Sequence, residues 1–196
     1  MIHPTAIIHP KARVDSSVRV GPYAIIDEGV QIGAGCIIGP HVYLTGQTVI
    51  GEKNQFFACC VIGEAPQDLK YSGEPTGVRI GSRNVFREHV TVHRANKPGE
   101  ETILGSGNFL MANSHAAHNC RLGNSVILAN GAALGGYVRV DDGAFISGNS
   151  VVHQFCRIGT LAMMLICSRF GSQPVRPSTL RKPFTKSGPA IALSAP

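Results

Sequence analysis

The stretch VGPYAIIDEGVQIGAGCIIGPHVYL, Val20–Leu44, decides the fold of this chain. Counting by six from Val20 reaches an apolar residue at every step: Ile26, Ile32, Ile38 and Leu44. An amphipathic α-helix needs apolar residues at three- and four-residue spacing, and that pattern is absent here. A period of six predicts short strands joined by tight turns, with three such hexads closing one triangular coil.

The same period continues through most of the chain. Its further apolar positions are Ile8, Val14, Ile50, Phe56, Ile62, Ile80, Phe86, Val92, Leu104, Leu110, Ala116, Leu122, Leu128, Leu134, Val140, Ile146, Val152, Ile158 and Met164. We expect these side chains to point into a prism and to stack on the coils above and below. The next residue is often glycine, as at Gly21, Gly33 and Gly39. We interpret these glycines as residues that permit a turn conformation which a β-carbon disfavours. The predicted fold is all-β, a left-handed parallel β-helix over residues 1–164.

Two polar, proline-containing stretches interrupt the period, at about residues 64–79 and 94–103. Both should loop out of the prism wall, and long excursions from a rigid repeat are uncommon unless they are functional. After Met164 the period fails, and the composition of residues 165–196 predicts an irregular, proline-rich, basic tail.

The composition narrows the class of protein. Charged residues make up 15% and aromatic residues 6%, with 23 glycines and no tryptophan, which is typical of neither a helical bundle nor a disordered chain. The net charge of +6 arises beyond Asp142, since no acidic residue follows it. That basic end lacks interleaved aromatics and a recognition helix, so we expect no nucleic-acid partner. An acidic protein or a phosphorylated substrate fits it better.

The chain has no apolar run that suits a signal peptide or a bilayer span. We therefore expect a cytoplasmic protein without stable membrane insertion. The cysteines agree, because Cys36, Cys60, Cys120 and Cys156 share one repeat phase that needs small apolar residues. We expect buried free thiols at these positions rather than disulfides.

Candidate chemistry lies in NSHAAHNC, Asn113–Cys120, where His115 and His118 flank the inward Ala116. His153 lies in another coil at a similar phase, so the three histidines could line one groove. One interpretation is that they are solvated surface side chains. Another is acyl transfer, in which a neutral histidine takes a proton from a sugar hydroxyl as it attacks a thioester. The Gly135-Gly136 step suits a backbone N–H that stabilises the oxyanion.

A zinc site is a further alternative, with His89 and His93 or His115 and His118 as candidate ligand pairs. Trimeric β-helix metalloenzymes of the gamma carbonic anhydrase type hold zinc through three histidines across a subunit boundary. Their paired ligands are spaced differently from these pairs, so we predict no metal and no other cofactor.

Four segments carry a resemblance to a known family: IGEAPQDLKYSGEPT (Ile62–Thr76), LMANSHAAHNCRLGN (Leu110–Asn124), ALGGYVRVDD (Ala133–Asp142) and VVHQFCRIG (Val151–Gly159). Over about residues 1–164 the chain resembles the acyl-[acyl-carrier-protein]–UDP-N-acetylglucosamine O-acyltransferases, which perform the first step of lipid A biosynthesis. The PQDLKY segment is specific, since related hexapeptide-repeat acyltransferases lack it.

The resemblance implies a role for each matching residue. His118 is the general base that deprotonates the glucosamine 3-hydroxyl, and Gly136 supplies the oxyanion N–H. The implied substrate-binding residues are Gln67, Asp68, Lys70, Met111, His115, Asn119, Tyr137, His153 and Gln154. The acyl donor arrives on acyl carrier protein, the acceptor is UDP-N-acetylglucosamine, and the enzyme is a homotrimer with active sites between subunits.

Several positions depart from the family pattern. Asn119 stands where the family commonly has Asp, and Tyr137 where it commonly has a substrate-contacting His, so we expect a weaker base and an altered pocket. Leu165 and Ile166 replace glycines that open the acyl channel, which predicts a shorter acyl chain. The family's C-terminal helical domain has no counterpart in the tail. Two alternatives therefore stay open: a truncated, non-catalytic β-helix, and an acetyl-CoA-dependent sugar acetyltransferase of the same fold.

Overall fold

Short parallel strands build the structure, a computed structural model that describes residues 1–165. Within these residues the strands are β1 Ile7–Ile8, β2 Arg13–Val14, β3 Arg19–Val20, β4 Ile25–Ile26, β5 Gln31–Ile32, β6 Ile37–Ile38, β7 Tyr43–Leu44, β8 Gln47–Ile50, β9 Gln55–Phe56, β10 Val61–Glu64, β11 Gly77–Ile80, β12 Val85–Phe86, β13 Thr91–His93, β14 Glu101–Leu104, β15 Phe109–Leu110, β16 His115–Ala116, β17 Arg121–Leu122, β18 Ile127–Leu128, β19 Ala133–Leu134, β20 Arg139–Val140, β21 Phe145–Ile146, β22 Val151–Val152, β23 Arg157–Ile158 and β24 Met163–Met164.

Every third strand belongs to the same sheet, so the chain visits three faces in turn. The first sheet runs from β1 to β22, the second from β2 to β23 and the third from β3 to β24. All pairings are parallel, and one coil usually takes eighteen residues, as Ile7 pairs with Ile25. This confirms the predicted left-handed parallel β-helix of hexapeptide repeats.

The core is a column of the hexad side chains. From Val20 to Val152 every apolar hexad residue named above is buried, and Phe56 stacks on Phe86 with ring centroids 4.5 Å apart. Each coil thus buries its apolar residues against the coils above and below, which stabilises the prism through the hydrophobic effect.

Glycine is required after the hexad positions for a different reason from the one that the sequence suggested. Gly21, Gly33 and Gly39 do not adopt positive φ; instead, an added Cβ would lie 2.7–3.0 Å from the backbone of the next coil. The left-handed turn residues are mostly not glycine, as at Tyr23, where φ is 58°. Close approach between coils, rather than turn conformation, therefore selects these glycines.

The two excursions leave the wall over residues 65–76 and 94–100, because β10, β11 and β14 extend into the polar stretches at their ends. Arg94 fastens the first excursion to the wall. Its Nη1 donates to the Gly63 carbonyl at 2.8 Å and its Nε to the Tyr71 hydroxyl at 3.1 Å. The loop is thus held by specific hydrogen bonds, and its polar groups lie over the corner between the first and second sheets.

The cysteines are free thiols within the described residues. Cys36, Cys60 and Cys120 are buried, and burial raises the pKa of the Cys60 and Cys120 thiols to about 12, so they stay protonated and unreactive. Cys156 is exposed, which corrects the expectation of burial. The position that would stack on it, eighteen residues later, lies outside the described residues. None of residues 1–165 forms a helix with the length and hydropathy that crossing a bilayer requires.

Candidate functional site

A cavity of about 430 Å³ opens at the corner between the first and second sheets. Two excursions and three stacked turns contribute its walls. The lining residues are Gln67, Asp68, Leu69, Lys70, Asn96, His118, Tyr137, Gln154 and Phe155. The structure therefore brings together six of the predicted site residues, which are separated by up to 87 positions in the chain (67 to 154).

The stacked turns set the geometry of the site. His118, Gly136 and Gln154 occupy the same position in successive coils, and the turns are locked by hydrogen bonds from Tyr137 N–H to the His118 carbonyl at 3.0 Å and from Phe155 N–H to the Gly136 carbonyl at 3.1 Å. The rigid coil spacing thus places a histidine, a glycine and a glutamine in one column.

Gly136 makes room for the His118 ring. A Cβ at Gly136 would lie 2.5 Å from His118 Cε1 and 2.6 Å from Nε2, closer than real contacts allow. The ring therefore lies directly on the glycine backbone. Among residues 1–165 no acceptor pairs with the Gly136 N–H, which leaves a donor beside the imidazole.

Hydrogen bonds determine which nitrogen of His118 carries the proton. Asn119 Oδ1 accepts from the backbone N–H of Asn96 at 3.1 Å, and it lies 2.9 Å from His118 Nδ1. Because a carbonyl oxygen only accepts, Nδ1 is the protonated nitrogen. Nε2 then holds a free lone pair at the cavity edge, which is the form a general base requires.

The 65–76 loop brings a carboxylate to the same cavity. Asp68 Oδ2 accepts from Asn96 Nδ2 at 2.7 Å, and its Oδ1 accepts from the Lys70 N–H at 3.0 Å. These two donors, the Lys70 N–H first, lower the pKa of the Asp68 carboxyl. Asp68 is therefore an anionic acceptor for a donor group on a bound molecule.

Aromatic rings close the other side. Tyr137 stacks on Phe155 with centroids 5.1 Å apart and meets the His118 ring edge to face at 5.5 Å. Its hydroxyl donates to Asn96 Oδ1 at 2.8 Å, so the position expected to be His is occupied by a ring that ties the turn to the second excursion.

Other predicted residues lie elsewhere. Met111 lines a separate cleft with Arg87 and Glu88, His153 is exposed, and Asn119 contacts His118 without lining the cavity. Leu165 is 64% exposed, and Ile166, together with the rest of the predicted tail, lies outside the described residues.

His115 packs against the wall instead of opening into the cavity. Its ring meets His93 edge to face at 4.7 Å, and its Nδ1 lies 2.7 Å from the Thr91 hydroxyl. No group of three or more His, Cys, Asp or Glu residues within the described chain is arranged to hold a metal ion.

We expect His115 to make the fold sensitive to acid. Burial, then the neighbouring His93 and His118, lower its pKa from 6.5 to about 4. The folded protein therefore binds a proton at this histidine less readily than the unfolded chain does. The free energy of unfolding is highest above pH 6.5 and falls by roughly 2–3 kcal/mol as the pH falls towards 4. In denaturant unfolding at one protein concentration, H115Q should flatten this pH dependence, whereas H3Q, at an exposed site, should not. An unchanged slope in H115Q would contradict the assignment.

Sequence reasoning missed Leu69, Asn96, Phe155 and Glu100. Asn96 joins the two excursions, Phe155 extends the aromatic wall, and Glu100 contacts Asn119. A signal existed for Phe155, which lies eighteen residues after Tyr137, one coil later. No periodic signal exists for Asn96 or Glu100, because both lie in an excursion where the repeat is suspended.

Comparisons with known proteins agree with the fold described above. The family model for bacterial transferase hexapeptide (six repeats) matches residues 11–46. The acyl-[acyl-carrier-protein]–UDP-N-acetylglucosamine O-acyltransferase of Janthinobacterium sp. (strain Marseille) is 58% identical over 164 residues, covering 83% of this chain and 63% of the relative. The UDP-N-acetylglucosamine acyltransferase structure from Campylobacter jejuni is 31% identical with a TM-score of 0.73, covering 83% of this chain and 70% of that one.

The chain belongs to the UDP-N-acetylglucosamine acyltransferase family. The structure of the family member from Bacteroides fragilis 9343 is also similar, with 41% identity and a TM-score of 0.80, and it covers 83% of this chain and 64% of that one. The chain spans 63% of the length of its Janthinobacterium relative. In this member of the family, Asn119 itself contacts a carboxylate, since Asn119 Nδ2 donates to Glu100 Oε2 at 2.5 Å.

Proposed function

We propose that this chain transfers a 3-hydroxyacyl group from acyl carrier protein to the glucosamine 3-hydroxyl of UDP-N-acetylglucosamine in the cytoplasm, as the first step of lipid A biosynthesis. The observation that carries the proposal is His118, with Nδ1–H held by Asn119 and Nε2 free at the cavity edge. The names of its relatives supply the donor and acceptor classes.

In the proposed reaction, His118 Nε2 takes the proton of the 3-hydroxyl while that oxygen attacks the thioester carbonyl carbon. The Gly136 N–H stabilises the oxyanion of the tetrahedral intermediate. The intermediate collapses by breaking the carbon–sulfur bond, and the thiolate leaves with the proton from the imidazolium. Neither a metal nor a covalent enzyme intermediate takes part. In this proposal Asp68 and Lys70, which line the same cavity from the facing loop, orient the sugar nucleotide.

We further propose a homotrimer, supported by the contrast between the three outer faces. The outward residues of the first sheet are mostly apolar: Ile7, Ile25, Tyr43, Val61, Thr91, His115, Ala133 and Val151. Those of the third sheet are also mostly apolar: Arg19, Ile37, Gln55, Val85, Phe109, Ile127, Phe145 and Met163. The second sheet is rich in arginine: Arg13, Gln31, Val49, Arg79, Ile103, Arg121, Arg139 and Arg157.

A ring of three prisms covers two faces of each copy and leaves one in solvent. The two apolar faces suit contact with neighbours, and the arginine face suits water. His118 lies on the turn between β16 and β17, where the apolar first sheet meets the charged second sheet. The cavity therefore opens at the rim of the inferred interface, which is consistent with active sites between subunits.

The trimer predicts a specific effect of charge on one face. I127E places a carboxylate on the third sheet, where burial against a neighbour costs several kcal/mol per ion. Light scattering should give three chain masses for the wild type and one for I127E. R121E, the matched control on the second sheet, should stay trimeric. A wild type that elutes as a monomer, or an I127E that remains a trimer, would refute this arrangement.

The proposed activity is tested by product formation from UDP-N-acetylglucosamine with C10, C12 and C14 3-hydroxyacyl carrier-protein donors, and with acetyl-CoA in parallel. We expect turnover with the carrier-protein donors, and a preference among them reports the acyl length that Leu165 and Ile166 were expected to restrict. Preference for acetyl-CoA would favour the acetyltransferase alternative. Absence of turnover with every donor would favour the non-catalytic one.

A further inference from the structure

A chain of polar contacts runs from the buried side chains of His118 and Asn119 to the half-buried Glu100. His118 is 7% exposed and Asn119 is 6% exposed, so both lie away from bulk water. The contacts are 2.9 Å from His118 Nδ1 to Asn119 Oδ1 and 2.5 Å from Asn119 Nδ2 to Glu100 Oε2. Electrostatic interactions in such a chain are stronger than in water.

Two independent partners determine the orientation of the Asn119 side chain. The Asn96 backbone N–H can only donate, so the atom facing it is the amide oxygen. The Glu100 carboxylate accepts, so the atom facing it is the amide nitrogen. A flipped amide would set the Asn119 NH₂ against the Asn96 N–H and the His118 proton, and its oxygen against a carboxylate.

We propose that Glu100 is a positioning residue for His118. Its carboxylate holds the Asn119 amide in the orientation that keeps the proton on His118 Nδ1. Through that amide its charge also stabilises the imidazolium that forms when Nε2 takes a proton. The second effect rests on the proposed function, whereas the first is a property of the resting protein.

Glu100 lies in the second excursion, and its carboxylate is also 3.4 Å from the Tyr137 hydroxyl. It therefore approaches the base from outside the repeat. The neighbouring Glu101 differs, because it lies on β14 and pairs with Arg79 at 2.7 Å on the second sheet. Glu101 is the matched control, since it has the same charge and an adjacent position but pairs across a partly exposed sheet surface.

The test combines the tautomer of His118, read from ¹⁵N imidazole shifts, with kcat and KM measured over a pH series. E100M removes both the acceptor and the charge. We therefore expect a mixture of the two His118 tautomers and a kcat about 30-fold lower, with KM nearly unchanged. E100Q keeps an acceptor for Asn119 Nδ2, so the tautomer should persist while kcat falls roughly 10-fold, equivalent to about 1.4 kcal/mol. E101Q should match the wild type in both measurements.

Replacing Asn119 separates an effect of the Glu100 charge from a merely structural role of Glu100. N119D places a carboxylate directly against His118 Nδ1, so Glu100 becomes a repelling neighbour. In that background E100Q should no longer lower kcat: it should leave kcat unchanged or raise it. An equal loss from E100Q in both backgrounds would overturn the charge effect.

The tautomer measurement does not depend on turnover. If the wild type fails to turn over any donor, the proposed function fails, and the comparison of wild type with E100M still decides the positioning effect. A wild-type tautomer retained in folded E100M would overturn it. If E100M does not fold, as judged by circular dichroism, E100K provides the same test, since an ammonium group cannot accept from Asn119 Nδ2 and favours the flipped amide.

Discussion

H118A is expected to lower kcat by about 10²–10⁴-fold, the usual contribution of a positioned general base. No other group within the described cavity combines a free lone pair with a fixed orientation, since Asp68 accepts from the Lys70 N–H and from Asn96. KM for the sugar nucleotide should change little, because removal of the base affects the proton transfer more than the binding of the ground state. Steady-state assays with a carrier-protein donor measure both constants.

H3A is the matched control, since His3 is exposed on the first coil and its side chain pairs, among the described residues, only with Thr5. It should retain wild-type kcat. Thermal unfolding of both variants separates loss of the base from loss of the fold. If folded H118A kept kcat within about threefold of the wild type, well under the usual contribution of a general base, another residue would be the base.

The second large effect is expected from G136A. The added methyl group would overlap the His118 ring, which must rotate or shift away from the cavity edge. A misplacement of about 1 Å at a reacting group costs about 100-fold in rate, so we expect a loss of that size with the fold retained. The loss should appear in kcat, because the substituted position contacts the base.

Two comparisons make this result specific. G159A is the control, since a Cβ at Gly159 meets nothing within 4 Å among residues 1–165, and it should keep full activity. In the H118A background, G136A should cause little further loss, because the ring that the methyl group displaces is gone. Equal losses from G136A with and without His118 would mean that the glycine acts independently, through its N–H alone.

Much of the site was predictable, and the reason is the register of the coils. Once the hexad period is known, His118, Gly136 and Gln154 must stack, since they are eighteen residues apart. His153 precedes Gln154 in this column by one residue, and the structure leaves its side chain exposed outside the cavity. The expectation that His115 shares the groove did not use this register, and the structure packs that ring against His93 instead.

The role of the glycines could not be read from the period alone. Positive φ and close backbone approach both favour glycine, and a sequence shows only the residue type. At Gly39 the deciding fact is the Phe56 carbonyl, 2.7 Å from the missing Cβ. That contact exists only after the coils have stacked.

By itself the sequence determined the fold, the column of core residues and the likeness to the acyltransferase family, because a six-residue period specifies both strand and turn at every step. Only the tertiary structure decided how the excursions meet the stacked turns. Arg94, Asn96 and Glu100 lie where the period is interrupted, so their positions depend on hydrogen bonds between distant segments rather than on local repetition. Those contacts orient Asn119 and leave His118 Nε2 free at the cavity.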